Sequence, residues 1–208
     1  MKVILNLKAL KAISRFVSKR DDARPYLTTL QVEASATETI LVGMDGPTLA
    51  AYRLKTENDL TEPVMFQIPA DVVRTMLTIK REEIELTQSD EFLRSADGIY
   101  FKPLTEKYPD WRRVVPTGPV SGEVAQFDVQ LLKRIDDAIK DLSKRGAKPL
   151  MYIGFNGEKQ AVIRHEYDDG FFALLMPYKK PIDEPIQAPD FALGTNTPEL
   201  LSSGVVDA

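Results

Sequence analysis

The chain has 208 residues, of which 43% are hydrophobic and 28% charged, with a net charge of −4 and no cysteine. This is the balance of a soluble globular protein with enough apolar sequence for a core. It excludes disulfides and thiolate zinc sites, and no apolar run approaches the roughly 18 residues of a membrane helix. The lack of cysteine fits a reducing cytoplasm. The opening MKVILNLKALKA, interrupted by Lys8 and Lys11, is too polar for a signal peptide.

Three segments share one pattern: a short strand, a turn residue, an amphipathic helix, then two or three strands. The first opens with KVILN and predicts a helix from Leu7 to Lys19, with Leu7, Leu10, Ile13, Phe16 and Val17 on one face. Strand-like runs TTLQVEA, TILVGM and TLAAYRL follow it. The second opens with VMFQIP, and Pro69 suits the first turn of a helix from Ala70 to Lys80. Val72, Val73, Met76 and Leu77 give that helix its apolar side, and EIELTQ, EFLRSA and GIYFK read as its strands. The third opens with VAQF. Asp128 is placed to cap a helix running to Leu142, whose stripe is Leu131, Leu132, Ile135, Ala138, Ile139 and Leu142. PLMYIGF, QAVIRHE and FFALLM complete the unit, and the pairs Asp97-Gly98 and Asn156-Gly157 predict hairpin turns. Helix starts at 7, 70 and 128 are 63 and 58 residues apart. The fold class that follows is α+β, an antiparallel sheet covered on one face by helices. Beyond Met176, prolines 177, 181, 185 and 189 recur at four-residue steps, which predicts an extended tail.

Charge is unevenly placed. Helix one carries Lys8, Lys11, Arg15 and Lys19 opposite its apolar stripe, Arg20 follows, and no acidic residue intervenes before Asp21. Such a face is either solvated or turned towards phosphates. Helix two sets Arg74, Lys80 and Arg81 against Asp71, Glu82 and Glu83. Helix three sets Lys133, Arg134, Lys140, Lys144 and Arg145 against Asp136, Asp137 and Asp141. Any contact with DNA is therefore weak and independent of sequence, and no base-reading element is evident.

The chemistry of an enzyme is missing from the sequence. The one histidine, His165, falls in a predicted strand. The acidic pairs Asp21-Asp22, Asp136-Asp137 and Asp168-Asp169 are consecutive, so their side chains diverge instead of converging on a metal. There is no glycine-rich phosphate loop and no nucleophile elbow. The expectation is a non-enzyme with neither cofactor nor metal.

Near the middle lies YPDWRRVVP, residues 108–116, with a proline near each end and the only tryptophan. It resembles the linker between the second and third domains of the bacterial β sliding clamp, the processivity subunit of the replicative DNA polymerase. Three other stretches resemble that family in the same order: RPYLTTLQVEA at 24–34, MDGPTLA at 44–50 and ALLMPYK at 173–179. The resemblance covers about residues 1–180. It implies the sliding-clamp fold in three β-α-β-β-β units, a complete domain over 1–107, a linker over 108–122, a half domain over 123–179, and a tail over 180–208. Its reduced size points to a phage-encoded member.

The resemblance also implies partners and sites. A short linear peptide of a polymerase or another clamp-binding protein would dock in a cleft at the domain junction. Arg24 and Leu27 would form one wall, and Gly46 and Leu49 a bordering turn. Pro109, Arg113 and Val114 would come from the linker, and Leu174, Leu175, Met176, Pro177 and Tyr178 from the last strand. Lys8, Lys11, Arg15, Lys19, Arg74, Lys80, Lys133 and Lys140 would face double-stranded DNA. Val114, Leu174 and Leu175 would be buried in almost any version of such a fold. Where the family has a histidine-arginine pair after the turn glycine, this chain has Pro47-Thr48, and Tyr178 replaces a frequent methionine. The family ends near Lys179, whereas this chain continues to Ala208, with a tail able to cross its own pocket or a neighbour's. Four chains of three units would make a twelve-unit ring, so a homo-oligomer is expected. The competing reading is an adaptor or decoy that binds clamp-dependent proteins without holding DNA.

Overall fold

The first two repeats trade their opening strands, and the architecture follows from that exchange. The computed structural model describes residues 1–18, 24–104 and 107–178, which belong to one compact unit, Met1–Tyr178. Repeat one supplies β1 (Lys2–Asn6), α1 (Leu7–Ser14), β2 (Thr29–Ala34), β3 (Glu38–Met44) and β4 (Thr48–Lys55). Repeat two supplies β5 (Val64–Pro69), α2 (Ala70–Met76), β6 (Glu83–Ser89), β7 (Phe92–Arg94) and β8 (Tyr100–Phe101). Repeat three supplies α3 (Val129–Leu142), β9 (Met151–Gly154), β10 (Ala161–His165) and β11 (Phe171–Leu175).

β1 leaves its own repeat to pair antiparallel with β6, giving a four-stranded sheet in the order β1-β6-β7-β8. β5 does the reverse and pairs with β2. The second sheet has seven strands, β5-β2-β3-β4-β11-β10-β9, because β4 of repeat one pairs with β11 of repeat three. The α+β class and the antiparallel sheets are as the sequence patterns predict.

Two predicted helices come out shorter, and among the described residues one predicted strand does not form. α1 ends at Ser14, where Phe16 N–H bonds Ile13 O and Val17 N–H bonds Ser14 O in tighter turns. α2 ends at Met76, and the Thr75 and Thr78 hydroxyls donate to nearby carbonyls in its last turns. VAQF, predicted as the opening strand of repeat three, has no partner strand and is not in a sheet. Asp128 caps α3 as predicted, accepting from Gln130 N–H, and α1 begins at Leu7 as predicted, with Asn6 accepting from Lys8 and Ala9 N–H as its cap. Gly98 and Gly157 take the left-handed φ that their hairpin turns need, +86° and +57°. Lys19, Arg20, Asp21-Asp22 and the predicted tail lie outside the described residues.

Strand alternation divides the long sheet into two faces. The face towards the helices buries Leu30, Val32, Leu41, Ala50, Phe171, Ala173 and Leu175 against Leu10, Ile13, Phe16, Ile135 and Ile139. Gly43 lets α1 come this close, since a Cβ there would stand 2.8 Å from Ile13 O and 3.2 Å from Phe16 Cβ. Gly43→Ala should therefore destabilise the fold by about 1–3 kcal/mol. Urea unfolding checks this, and an unchanged midpoint would contradict so close an approach.

Candidate functional site

On the outer face of the seven-stranded sheet, Val42 of β3, Leu49 and Ala51 of β4, and Leu174 of β11 form a second apolar cluster. Leu49 and Leu174 are directly opposite across the β4–β11 ladder, where repeat one meets repeat three. The 108–116 segment crosses this surface, with a single 3-10 turn at Trp111–Val114. Trp111 closes the cluster, its ring 5.8 Å from that of Phe172.

The connector is held by one carboxylate. Trp111 Nε1 donates to Glu33 Oε1 at 2.8 Å, and Arg112 adds a forked pair to Glu33 at 3.0 and 2.5 Å. The Arg112 guanidinium also lies 4.2 Å from the Trp111 ring centroid. Hydrogen bonding to Glu33 raises the pKa of Arg112 above its ordinary value. At the far end, Gln160 Nε2 donates to Val114 O at 2.5 Å, tying the connector to repeat three.

On the connector and just past β11 three apolar side chains are exposed: Val114 at 50%, Met176 at 40% and Tyr178 at 64%. The turn bearing Gly46, with φ +103°, makes one edge. It is fixed three ways. Asp45 Oδ1 accepts from Thr48 N–H and hydroxyl at 3.1 and 2.6 Å, Met176 N–H donates to Pro47 O at 2.9 Å, and Arg134 of α3 pairs with Asp45 Oδ2. The Thr48 hydroxyl is consumed inside the turn, so Pro47-Thr48 offers a ligand no side-chain donor.

Not every sequence-predicted residue reaches this surface. Leu175 points into the helix-side core, opposite to Leu174, as alternation demands. Leu27 is buried in the 3-10 turn before β2. Arg24 and Arg113 are exposed, and Pro177 is half-buried. Pro109 lines a neighbouring cleft of about 380 Å³ together with Gln31, Glu33, Met65 and Tyr108. Two buried atoms there, Gln31 Oε1 and the Tyr108 hydroxyl, have no hydrogen-bond partner. Burial, reinforced by Glu33, pushes the pKa of Tyr108 up. Sequence reading missed Gln31, Glu33 and Arg134. Only the outward parity of Gln31 and Glu33 in their strand could have flagged the first two.

The helix cations are largely committed. Lys11 pairs with Asp141 at 2.8 Å, and Arg15 pairs with Asp141 at 2.6 Å and Asp137 at 3.6 Å. Lys133 pairs with Asp137 and Lys140 with Asp136, each one turn along α3. The Lys133 hydrogen bond, aided by the charge of Arg15, lowers the pKa of Asp137. Lys8, Arg74 and Lys80 are exposed and make no ion pair among the described residues. His165 is buried. Its Nδ1 accepts from Tyr167 N–H, so Nε2 donates to Ser143 Oγ at the end of α3. Asp168 accepts from Tyr52 and from Gly170 N–H, which makes it a turn-fixing residue.

No protein-family model matches the sequence, and no curated protein matches it. Solved structures do match the fold. The DNA polymerase III subunit beta from Pseudomonas aeruginosa superposes with a TM-score of 0.70 at 14% identity, covering 86% of this chain and 66% of that one. The beta subunit from Thermotoga maritima gives 0.68 at 12% identity over 87% and 66%. The beta chain from Streptococcus pneumoniae gives 0.64 at 17% identity over 86% and 65%. The fold is thus that of the bacterial sliding clamps, and this chain spans just under two thirds of their length.

Because the connector hangs on Glu33, Glu33→Ala should strand the Trp111 N–H and cost about 1–3 kcal/mol. The emission of the only tryptophan should shift to the red, with Glu33→Gln intermediate. Unaltered emission would show that Trp111 stays seated without Glu33.

Proposed function

We propose that this chain is a clamp-type replication accessory protein that docks a short extended peptide over the β4–β11 junction. The observation that carries the reading is the Leu49–Leu174 floor, buried beneath the connector, with Val114 of the connector and Met176 directly after β11 exposed. A buried apolar floor with an accessible apolar rim suits a peptide with one or two apolar anchors. The clamp fold of its structural neighbours supports the same placement. The partners would be a polymerase or other clamp-binding proteins, and the protein would act by tethering, not by chemistry.

Val114→Asp and Met176→Asp change exposed side chains and should leave the fold intact. Each should weaken binding of a fluorescent peptide with two leucine anchors at least about tenfold, or about 1.4 kcal/mol. Fluorescence anisotropy reads this. Equal affinity for both variants and the parent would sink the peptide-docking reading.

Whether the protein also holds DNA turns on the helix cations. A ring would need twelve repeats, hence four chains. The pairing of Lys11 and Arg15 with Asp137 and Asp141 favours the second reading, an adaptor that engages clamp partners without encircling DNA. Asp137→Asn with Asp141→Asn frees those cations. The double variant should bind duplex DNA more tightly than the parent, with a steeper salt dependence. If the parent already shows strong, salt-sensitive retention on circular DNA, the adaptor reading falls.

A further inference from the structure

Repeat three carries a strand-like segment with no sheet and a sheet with no exchanged strand. In repeats one and two, the residues just before the helix obey one rule. The residue one before the helix cap and the residue two further back are apolar and buried: Leu5 and Val3 in β1, Ile68 and Phe66 in β5. The residue between them turns its backbone the other way, onto its own repeat. In repeat one Ile4 N–H donates to Asn58 Oδ1, and Lys2, of the same parity, exchanges backbone bonds with Asp59; in repeat two Gln67 O accepts from Leu104 N–H. The register is also shared. The cap residue sits opposite the first residue of the receiving strand, Asn6 against Glu83 and Pro69 against Thr29.

Repeat three keeps every part of this rule except the recipient. Asp128 is the cap, so Phe127 and Ala125 occupy the two apolar positions and Gln126 lies between them. Gln126 O accepts from Tyr178 N–H at 2.7 Å, the counterpart of the Gln67–Leu104 bond. The peptide groups of Ala125 and Phe127 therefore face the opposite edge, where no strand pairs with them among the described residues. Both side chains are only half-buried, unlike their equivalents.

Among the described residues no strand pairs with the receiving edge at Met151–Gly154; the chain's own Gly122 and Glu123 bond only Phe155 and Gly157 beyond it. β9 is the last strand of the seven-stranded sheet. Glu166 N–H bonds Leu150 O, so Tyr152 also bonds towards β10, while the peptide groups of Met151 and Ile153 point outward. Val124, Val129, Leu150 and Tyr152 add exposed apolar side chains at this end, at 75, 69, 57 and 54%. An open edge and a half-buried apolar strand are both costly to leave unpaired.

We propose that a second copy of this chain completes repeat three by reciprocal strand exchange. Residues 124–127 of each copy add to the β9 edge of the other, as β1 and β5 do within one chain. A two-fold relation satisfies both vacancies at once, because each copy carries one donor strand and one acceptor edge. Any other partner would have to bring its own matched pair. Bonding direction sets the contacts: the outward peptide groups of Phe127 and Ala125 must meet those of Met151 and Ile153 of the neighbouring copy, which puts Gln126 opposite Tyr152 and the cap Asp128 opposite Leu150, one residue before β9. This interface lies on the repeat pattern alone and does not depend on peptide docking.

The cysteine-free sequence makes the test clean. Gln126 and Tyr152 would form a pair not joined by hydrogen bonds, with Cα atoms about 4.5 Å apart, within disulfide range. Gln126→Cys and Tyr152→Cys are made as single variants and oxidised separately and mixed. The mixture should give a disulfide dimer on non-reducing gels, and neither variant alone should. Ala125→Pro removes an outward N–H that makes no bond among the described residues. It should lower the solution mass from twice the monomer to the monomer, with an unchanged circular-dichroism spectrum. A parent protein that is monomeric at micromolar concentration, or a mixture without cross-link, overturns the proposal. Peptide affinity measured on the Ala125→Pro variant separates this interface from the docking surface.

Discussion

An extended strand cannot satisfy its own backbone, and this molecule depends on where each repeat sends its first one. β1 and β5 each cross to the other repeat, so neither repeat can close its sheet alone. That exchange welds two sequence units of about sixty residues into one body, although they share almost no sequence. What is conserved between them is parity and register: apolar residues at alternating positions, a cap, and a return segment that bonds the strand from behind.

The same parity produces the outer surface. β4 and β11 alternate between Ala50, Ala173 and Leu175 facing the helices and Leu49, Ala51 and Leu174 facing outward. A sheet apolar on both faces needs a second cover, and three helices supply only one. The connector provides it with Trp111, but incompletely, and Val114 and Met176 are left in solvent. The Glu33 carboxylate is critical here because it takes three donors from a segment with little regular structure. A short connector with few backbone bonds of its own gains its fixed position chiefly from that side chain, with Gln160 holding its far end.

The helices and most strands were legible because their periods of 3.6 and 2 are written in the apolar residues. The three-repeat pattern was legible for the same reason. VAQF carried the right alternation and still formed no strand, since a strand needs a partner edge and that edge is supplied by tertiary context. Helix lengths were overestimated where threonines in α2 and the turn after Ser14 drew bonds into tighter geometry. Within the site, the apolar floor at Leu49 and Leu174 could be placed from the resemblance. Leu175 could have been assigned to the core by parity with Leu174. Glu33 was open to reading only through its outward parity, and Arg134 not at all, because each acts on a residue more than seventy positions away.

The basic stripe of α1 shows why a surface charge read from sequence is not yet a binding surface. Lys11 and Arg15 meet Asp137 and Asp141 of α3, a helix that lies more than a hundred residues later. Asp141 is largely buried, with a side chain 12% exposed, so these cations are drawn into a contact with limited solvent screening. The pairs bind the third repeat to the first across the helix layer, while Arg134 and Asp45 bind them at the turn. Electrostatics that would attract a phosphate backbone is thereby spent on holding the lone third repeat in place. Among the described residues the third repeat exchanges no strand with the first two, so it needs such fastening on repeat one. The charge balance of α3, acidic towards α1 and basic along its exposed side, answers that need.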